Sequence, residues 1–161
     1  MSTSDEKAIE GLISRYQKKI FALALYMVGG GRDKAYDIAT SSFAKVLRRN
    51  PSLDDEYVFL INVATIVVSK CRALDVIPVF DQYDFTSLPS EKRRSLEIIN
   101  RALQALPTDM KAILLLRDQL HLSYSDIAPM LKIPENSARI QTVQARAQLR
   151  EKIQEVLSGT R

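Results

Sequence analysis

The sequence predicts an all-α protein, and three observations carry that prediction. Long segments such as IEGLISRYQKKIFALALYM place apolar residues at helical spacing, not in the alternation a strand would show. Breakers are few, with five glycines and six prolines in 161 residues. Hydrophobic residues make up 46% of the chain, enough for two small cores or one of medium size.

Taken in order, the first helix is expected from about Asp5 to Val28, with Ile9, Leu12, Ile13, Tyr16, Ile20, Leu23, Ala24 and Met27 on one apolar stripe. Gly29, Gly30 and Gly31 end it. A second helix follows from about Asp33 to Arg49, closed by Asn50 and Pro51, and a third spans about Asp54 to Leu74. These three form one packed unit, residues 1–75. Residues 76–94 lose helical periodicity and contain Pro78 and Pro89, so they read as a linker, with Phe80, Tyr83 and Phe85 as aromatic anchors able to staple its flanks.

Residues 95–161 form a second unit of four shorter helices, SLEIINRALQALP, TDMKAILLLRDQLH, LSYSDIAPMLKIP and ENSARIQTVQARAQLREKIQEVL. Ser123 with Asp126 three positions on has the form of a capping box, and the short gap at LKIPEN joins two helices in helix-turn-helix fashion. Pro129 removes a backbone donor from the first helix of that motif, and Lys132 stands where a turn glycine would be easiest, so a slight distortion is expected.

Composition excludes several function classes. Cys71 and His121 are the only cysteine and histidine, which removes a disulfide framework and argues against a Cys/His metal site or a Ser/His/Asp triad. No spacing suggests paired carboxylates or a nucleophile with its base, so neither an enzyme nor a bound cofactor or metal is expected. Cys71 reads as a small buried hydrophobe. MSTSDEKAIEGL lacks a signal-peptide core and no apolar run reaches the length of a membrane span, so a cytoplasmic protein is expected. Lys and Arg outnumber Asp and Glu by 23 to 19, a balance that permits nucleic-acid binding without demanding it.

The stretch ALQALPTDMKAILLLRDQLHLSYSDIAPMLKIPENSARIQTVQARAQLREKI resembles region 4 of bacterial sigma factors of the extracytoplasmic-function (ECF) group. Their usual pattern is leucine-proline, an aliphatic run, L-S-Y-x-E-I-A and a recognition helix ending in A-R-x-x-L-R. SRYQKKIFALALYMV, DIATSSFAKVLRR and YVFLINVATIVVSKCRAL are similar to the three helices of region 2 in the same group. The resemblance implies a transcription initiation factor that binds core RNA polymerase, through its β′ coiled coil and β flap, and directs it to promoter DNA.

On that resemblance the DNA-facing candidates of region 4 are Ser123 and Tyr124 with Asn136, Ser137, Arg139, Gln141, Gln144 and Arg146 of the last helix. Ala138, Thr142, Ala145, Leu149, Ile153 and Val156 take the opposite, packed face. Ile140 and Val143 suit either thymine methyls or a partner protein. The family's K-S-R-L-H-R-A-R is here R-I-Q-T-V-Q-A-R, so phosphate neutralisation and its salt dependence should be reduced. In region 2, Asn62 and Thr65 stand at the positions of family arginines, with Lys70 and Arg72 further on as DNA candidates.

The polymerase-docking helix departs most. Where the family reads D-A-E-D-L-x-Q-E-x-F, this chain reads KAYDIATSSF. Ala35, Ala39, Phe43 and Val46 should point inward, leaving Asp33, Asp37, Thr40, Ser41 and Ala44 on the docking face. Asp33, Asp37, Thr40 and Ser41 are therefore the polymerase-binding candidates, and Thr40 and Ser41 are candidates for phosphorylation, which would restore negative charge. Lys45, four residues after Ser41, would neutralise a phosphate there, so Thr40 is the better of the two. A Ser/Thr kinase is then an implied partner. The alternative is a sigma mimic that keeps the fold and sequesters an anti-sigma factor without binding DNA.

Overall fold

Helix α1 (Thr3–Met27) starts ahead of its apolar stripe because Ser2 caps it. The Asp5 amide donates to Ser2 Oγ at 3.2 Å and the Ser2 amide donates to the Asp5 carboxylate at 3.2 Å, a reciprocal capping box. The computed structural model describes residues 2–49, 54–74 and 88–159. Of the predicted stripe, Ile20, Leu23, Ala24 and Met27 are buried, while Leu12, Ile13 and Tyr16 pack at its edge. Gly29 and Gly30 adopt φ of 75° and 107°, which a side chain would strain, and so end the helix.

Helix α2 (Arg32–Arg49) buries Ala35, Ile38, Ala39, Ser42, Phe43 and Val46. Helix α3 (Glu56–Arg72) is capped by Asp55, whose carboxylate accepts from the Tyr57 and Val58 amides at 2.9 and 3.2 Å. Phe43 and Phe59 meet between the two helices with ring centroids 5.9 Å apart. Tyr16 and Arg15 of α1 both bond to Glu56, and these bonds hold the Glu56 carboxyl below its ordinary range.

Helix α4 (Ser90–Gln104) begins inside the stretch expected to be linker. Pro89 at its N-cap lacks only a donor that the first turn would leave unpaired, and EKRR lies mostly on its solvent side, where no apolar period shows. Pro78, Phe80, Tyr83 and Phe85 lie outside the described residues. Helix α5 (Thr108–Leu114) runs into a π-turn (Leu115–Gln119), after which His121 takes φ 56°. Helices α6 (Tyr124–Leu131) and α7 (Glu135–Leu157) complete the chain, and the described residues contain no strand.

The helix-turn-helix differs from its sequence expectation. Helix α6 passes through Pro129 without ending, and Lys132 adopts the left-handed C-cap position, φ 56°. Ile133 N–H reaches Ala128 C=O at 3.0 Å and closes the turn as a glycine would, at a backbone cost of about 1 kcal/mol. The Ser123–Asp126 capping box is half formed. Ser123 Oγ accepts from the Asp126 amide at 3.2 Å, but the Ser123 amide lies 3.4 Å from the Tyr57 hydroxyl, not on the Asp126 carboxylate.

One buried cluster runs through α1, α2 and α3 into Leu103, Ile113, Leu116, Leu122, Ile127 and Leu131. Polar contacts accompany it. Gln104 Nε2 donates to the Tyr26 carbonyl at 2.9 Å, and Lys111 Nζ, nearly inaccessible, donates to Gln104 Oε1 at 2.9 Å. Burial lowers the Lys111 pKa, since few groups around the ammonium replace its water. Arg72 pairs with Asp109 at 3.0 Å, and the Tyr57 hydroxyl donates to Asp126 at 2.7 Å. Cys71 is buried beside Lys111, and burial pushes its thiol up to about 11. No described helix is long and apolar enough to cross a membrane.

Candidate functional site

Two exposed helix faces gather the candidate residues, one on α2 and one on α7. On α2, the predicted inward set Ala35, Ala39, Phe43 and Val46 is buried, and Asp33, Asp37, Thr40, Ser41 and Ala44 are exposed. Serine and threonine within a helix can satisfy their hydroxyls on the preceding turn. Thr40 Oγ1 donates to the Tyr36 carbonyl at 2.8 Å, Ser41 Oγ to Ile38 at 3.2 Å and Ser42 Oγ to Ile38 at 2.6 Å. Ser42 is thereby buried without needing a partner helix.

Thr40 and Ser41 differ in their surroundings. Lys70 Nζ of α3 donates to Ser41 Oγ at 2.5 Å, and Ser41 lines a shallow cavity of about 400 Å³ with Lys34, Asp37, Ile38, Lys70, Ala73 and Leu74. A phosphate on Ser41 would sit against Lys70. Among the described residues, Thr40 bonds only to its own helix, and it is exposed beside Tyr36, itself 62% exposed.

On α7, Ala138, Thr142 and Ala145 are buried and form a narrow seam against the rest of the domain, with Leu149, Ile153 and Val156 half-buried beyond them. Thr142 Oγ1 donates to the Ala138 carbonyl at 2.7 Å. Asn136 and Gln144 are exposed, and Ser137 and Gln141 are half-buried. Arg139 bonds to Glu135 at 2.9 Å and lies 4.9 Å from the centre of the Tyr124 ring, over which Arg117 also lies at 4.4 Å. Arg146 forms a two-pronged bond to Asp118 at 2.5 and 3.2 Å, which raises its pKa, and the pair lines a polar cavity of about 450 Å³ with Arg117 and His121.

The structure therefore separates the candidates into those facing solvent and those engaged internally. Asn62 is exposed on α3, whereas Thr65 turns its hydroxyl to the Ile61 carbonyl at 2.7 Å. Lys70 is engaged by Ser41 and Arg72 by Asp109. Ser123 caps α6. The sequence reading missed Arg117 and Asp118, because their relation to Tyr124 and Arg146 depends on the π-turn and on packing across 28 residues for the Asp118–Arg146 pair. Among the described residues, no group of His, Cys, Asp and Glu could hold a metal ion.

Comparison with known proteins agrees with this geometry. Residues 96–149 match the family model for sigma-70, region 4. The chain is 28% identical to the ECF RNA polymerase sigma-E factor of Haemophilus influenzae, over 95% of this chain and 91% of that protein. It is 26% identical to the RNA polymerase sigma-H factor of Pseudomonas aeruginosa and 25% identical to the ECF RNA polymerase sigma-E factor of Salmonella typhimurium, in each case over 95% of this chain and 90% of the relative. With a match to sigma-70 region 4 over its C-terminal helix-turn-helix and relatives that align with it nearly end to end, the chain is similar to RNA polymerase sigma factors of the ECF group.

Proposed function

We propose that this protein is a transcription initiation factor that binds core RNA polymerase and directs it to promoter DNA, and that phosphorylation of Thr40 gates the polymerase contact. The initiation role is supported by the helix-turn-helix of α6 and α7 and by the sigma factors the chain resembles over 95% of its length. It is a binding and positioning function with no bond chemistry of its own. Residues 1–75 would dock on the polymerase, including the β′ coiled coil, and open the downstream element; residues 95–161 would contact the β flap and the upstream element.

One observation carries the gating. Thr40 is exposed on the outward face of α2, with no cation bonded to it among the described residues, while neighbouring Ser41 is held by Lys70. A phosphate on Thr40 adds about 1.5 to 2 negative charges to a face that otherwise offers Asp33 and Asp37. Two charge-assisted contacts to partner arginines, at about 1.5 kcal/mol each, would tighten binding on the order of 100-fold. A Ser/Thr kinase would be the partner that sets the state.

The test is the affinity of the purified chain for core RNA polymerase, unmodified and phosphorylated at Thr40. The expected result is tight binding of the phosphorylated form and a loss on the order of 100-fold without the phosphate. Equal affinities would end the gating and leave the initiation role. Binding by neither form would end both, in favour of a mimic that captures an anti-sigma factor.

A further inference from the structure

We infer that the exposed face of α7 reads A·T base pairs, with Ile140 and Val143 packing on thymine methyl groups; the inference rests on the promoter-binding function proposed above. Ile140 and Val143 are 59% and 66% exposed and lie one turn apart. At about 100° per residue, Asn136, Ile140, Val143, Gln144 and Ala147 share one outward strip. All five are exposed.

The arginines that would recognise guanine stand aside from this strip. Arg139 is drawn to Glu135 and Tyr124, and Arg146 to Asp118. In the major groove, guanine is matched by Arg or Lys, adenine by the amide of Asn or Gln, and thymine by an apolar contact with its methyl group. Two amides flanking two branched aliphatic side chains and an alanine therefore present adenine and thymine chemistry.

Charge argues for DNA as the occupant. Residues 136–150 contain three arginines and no acidic residue, and with Glu135 paired to Arg139 and Asp118 to Arg146 the aliphatic strip is still flanked by three cations against two carboxylates. A helix-turn-helix delivers the N-terminal part of its second helix to base edges, and the strip lies in that part of α7. Arg139 and Arg146 at its margins are placed for phosphates.

The experiment uses holoenzyme assembled from core RNA polymerase and the full chain, prepared both unmodified and phosphorylated at Thr40. Duplexes randomised across the upstream element are selected, and the best is remade with uracil for thymine, which removes only the methyl. Selection of A·T pairs is expected, with about fourfold weaker binding for each contacted thymine replaced. In the double variant Ile140→Ser, Val143→Ser the thymine and uracil duplexes should bind alike. Selection of G·C pairs, or equal binding of the two duplexes by the unsubstituted chain, would overturn the inference. So would a double variant that loses polymerase affinity while the unsubstituted chain ignores the methyls, which would make the strip a protein contact. Retention of no duplex by any form would take down the promoter-binding function itself, and the inference with it.

Discussion

Thr40 of α2 and Thr142 of α7 make the same local bond, each hydroxyl donating to the carbonyl one turn back, at 2.8 and 2.7 Å. They lie on opposite sides of the molecular surface, Thr40 exposed and Thr142 fully buried. The backbone bond satisfies either hydroxyl, so neither needs a partner helix. Thr142 can therefore act as a narrow spacer between Ala138 and Ala145, on the buried side of α7, which packs on α4, α5 and α6. Thr40 is left exposed at the surface of α2. The two exposed faces diverge accordingly, with α2 offering hydroxyls whose charge chemistry can change and α7 offering amides and aliphatics whose chemistry is fixed.

The largest expected effect breaks the platform beneath α2. Phe43 is buried against Phe59, and truncation to alanine should cost about 3–5 kcal/mol. Because the buried cluster continues from α2 and α3 into α5 and α6, denaturant unfolding of Phe43→Ala followed by circular dichroism should remain one transition at lower midpoint. Two separated transitions would mean that the α2 and α7 faces stand on independent cores.

The inward face of α2 was legible because Ala35, Ala39, Phe43 and Val46 follow the helical period, and the helix-turn-helix was legible from its turn and its A-R-x-x-L-R ending. Buried Ser42 was not, since a hydroxyl at that position reads as surface until its bond to Ile38 is seen. The start of α4 was hidden by its charged first turns. Least legible were contacts between distant segments, such as Gln104 with Tyr26 and Tyr57 with Asp126, 78 and 69 residues apart. Periodicity assigns a residue to a face, but it does not name what that face meets. The same gap hid the engagement of Arg146 by Asp118.

A smaller effect sharpens the contrast between the threonines directly. Thr142→Leu forces extra volume into the Ala138–Ala145 seam and should destabilise the chain by about 1–3 kcal/mol. Thr40→Leu, placing the same side chain on a solvated surface, should stay within about 0.5 kcal/mol. Thermal unfolding of the two variants side by side checks this. Equal losses would mean that the seam has room to relax and that Thr142 is not a spacer.

The smallest effect concerns charge on the α7 face. Arg146 is bonded to Asp118 in the free chain, so a DNA phosphate must take it from that carboxylate. If it does, Arg146→Gln should flatten the slope of log affinity against log salt by about one unit. Asp118→Asn should keep the slope and tighten binding, because the guanidinium then has no competing carboxylate. An unchanged slope in Arg146→Gln would show that the arginine stays with Asp118 on DNA, holding the π-turn against α7, and that phosphate contact falls to its neighbours.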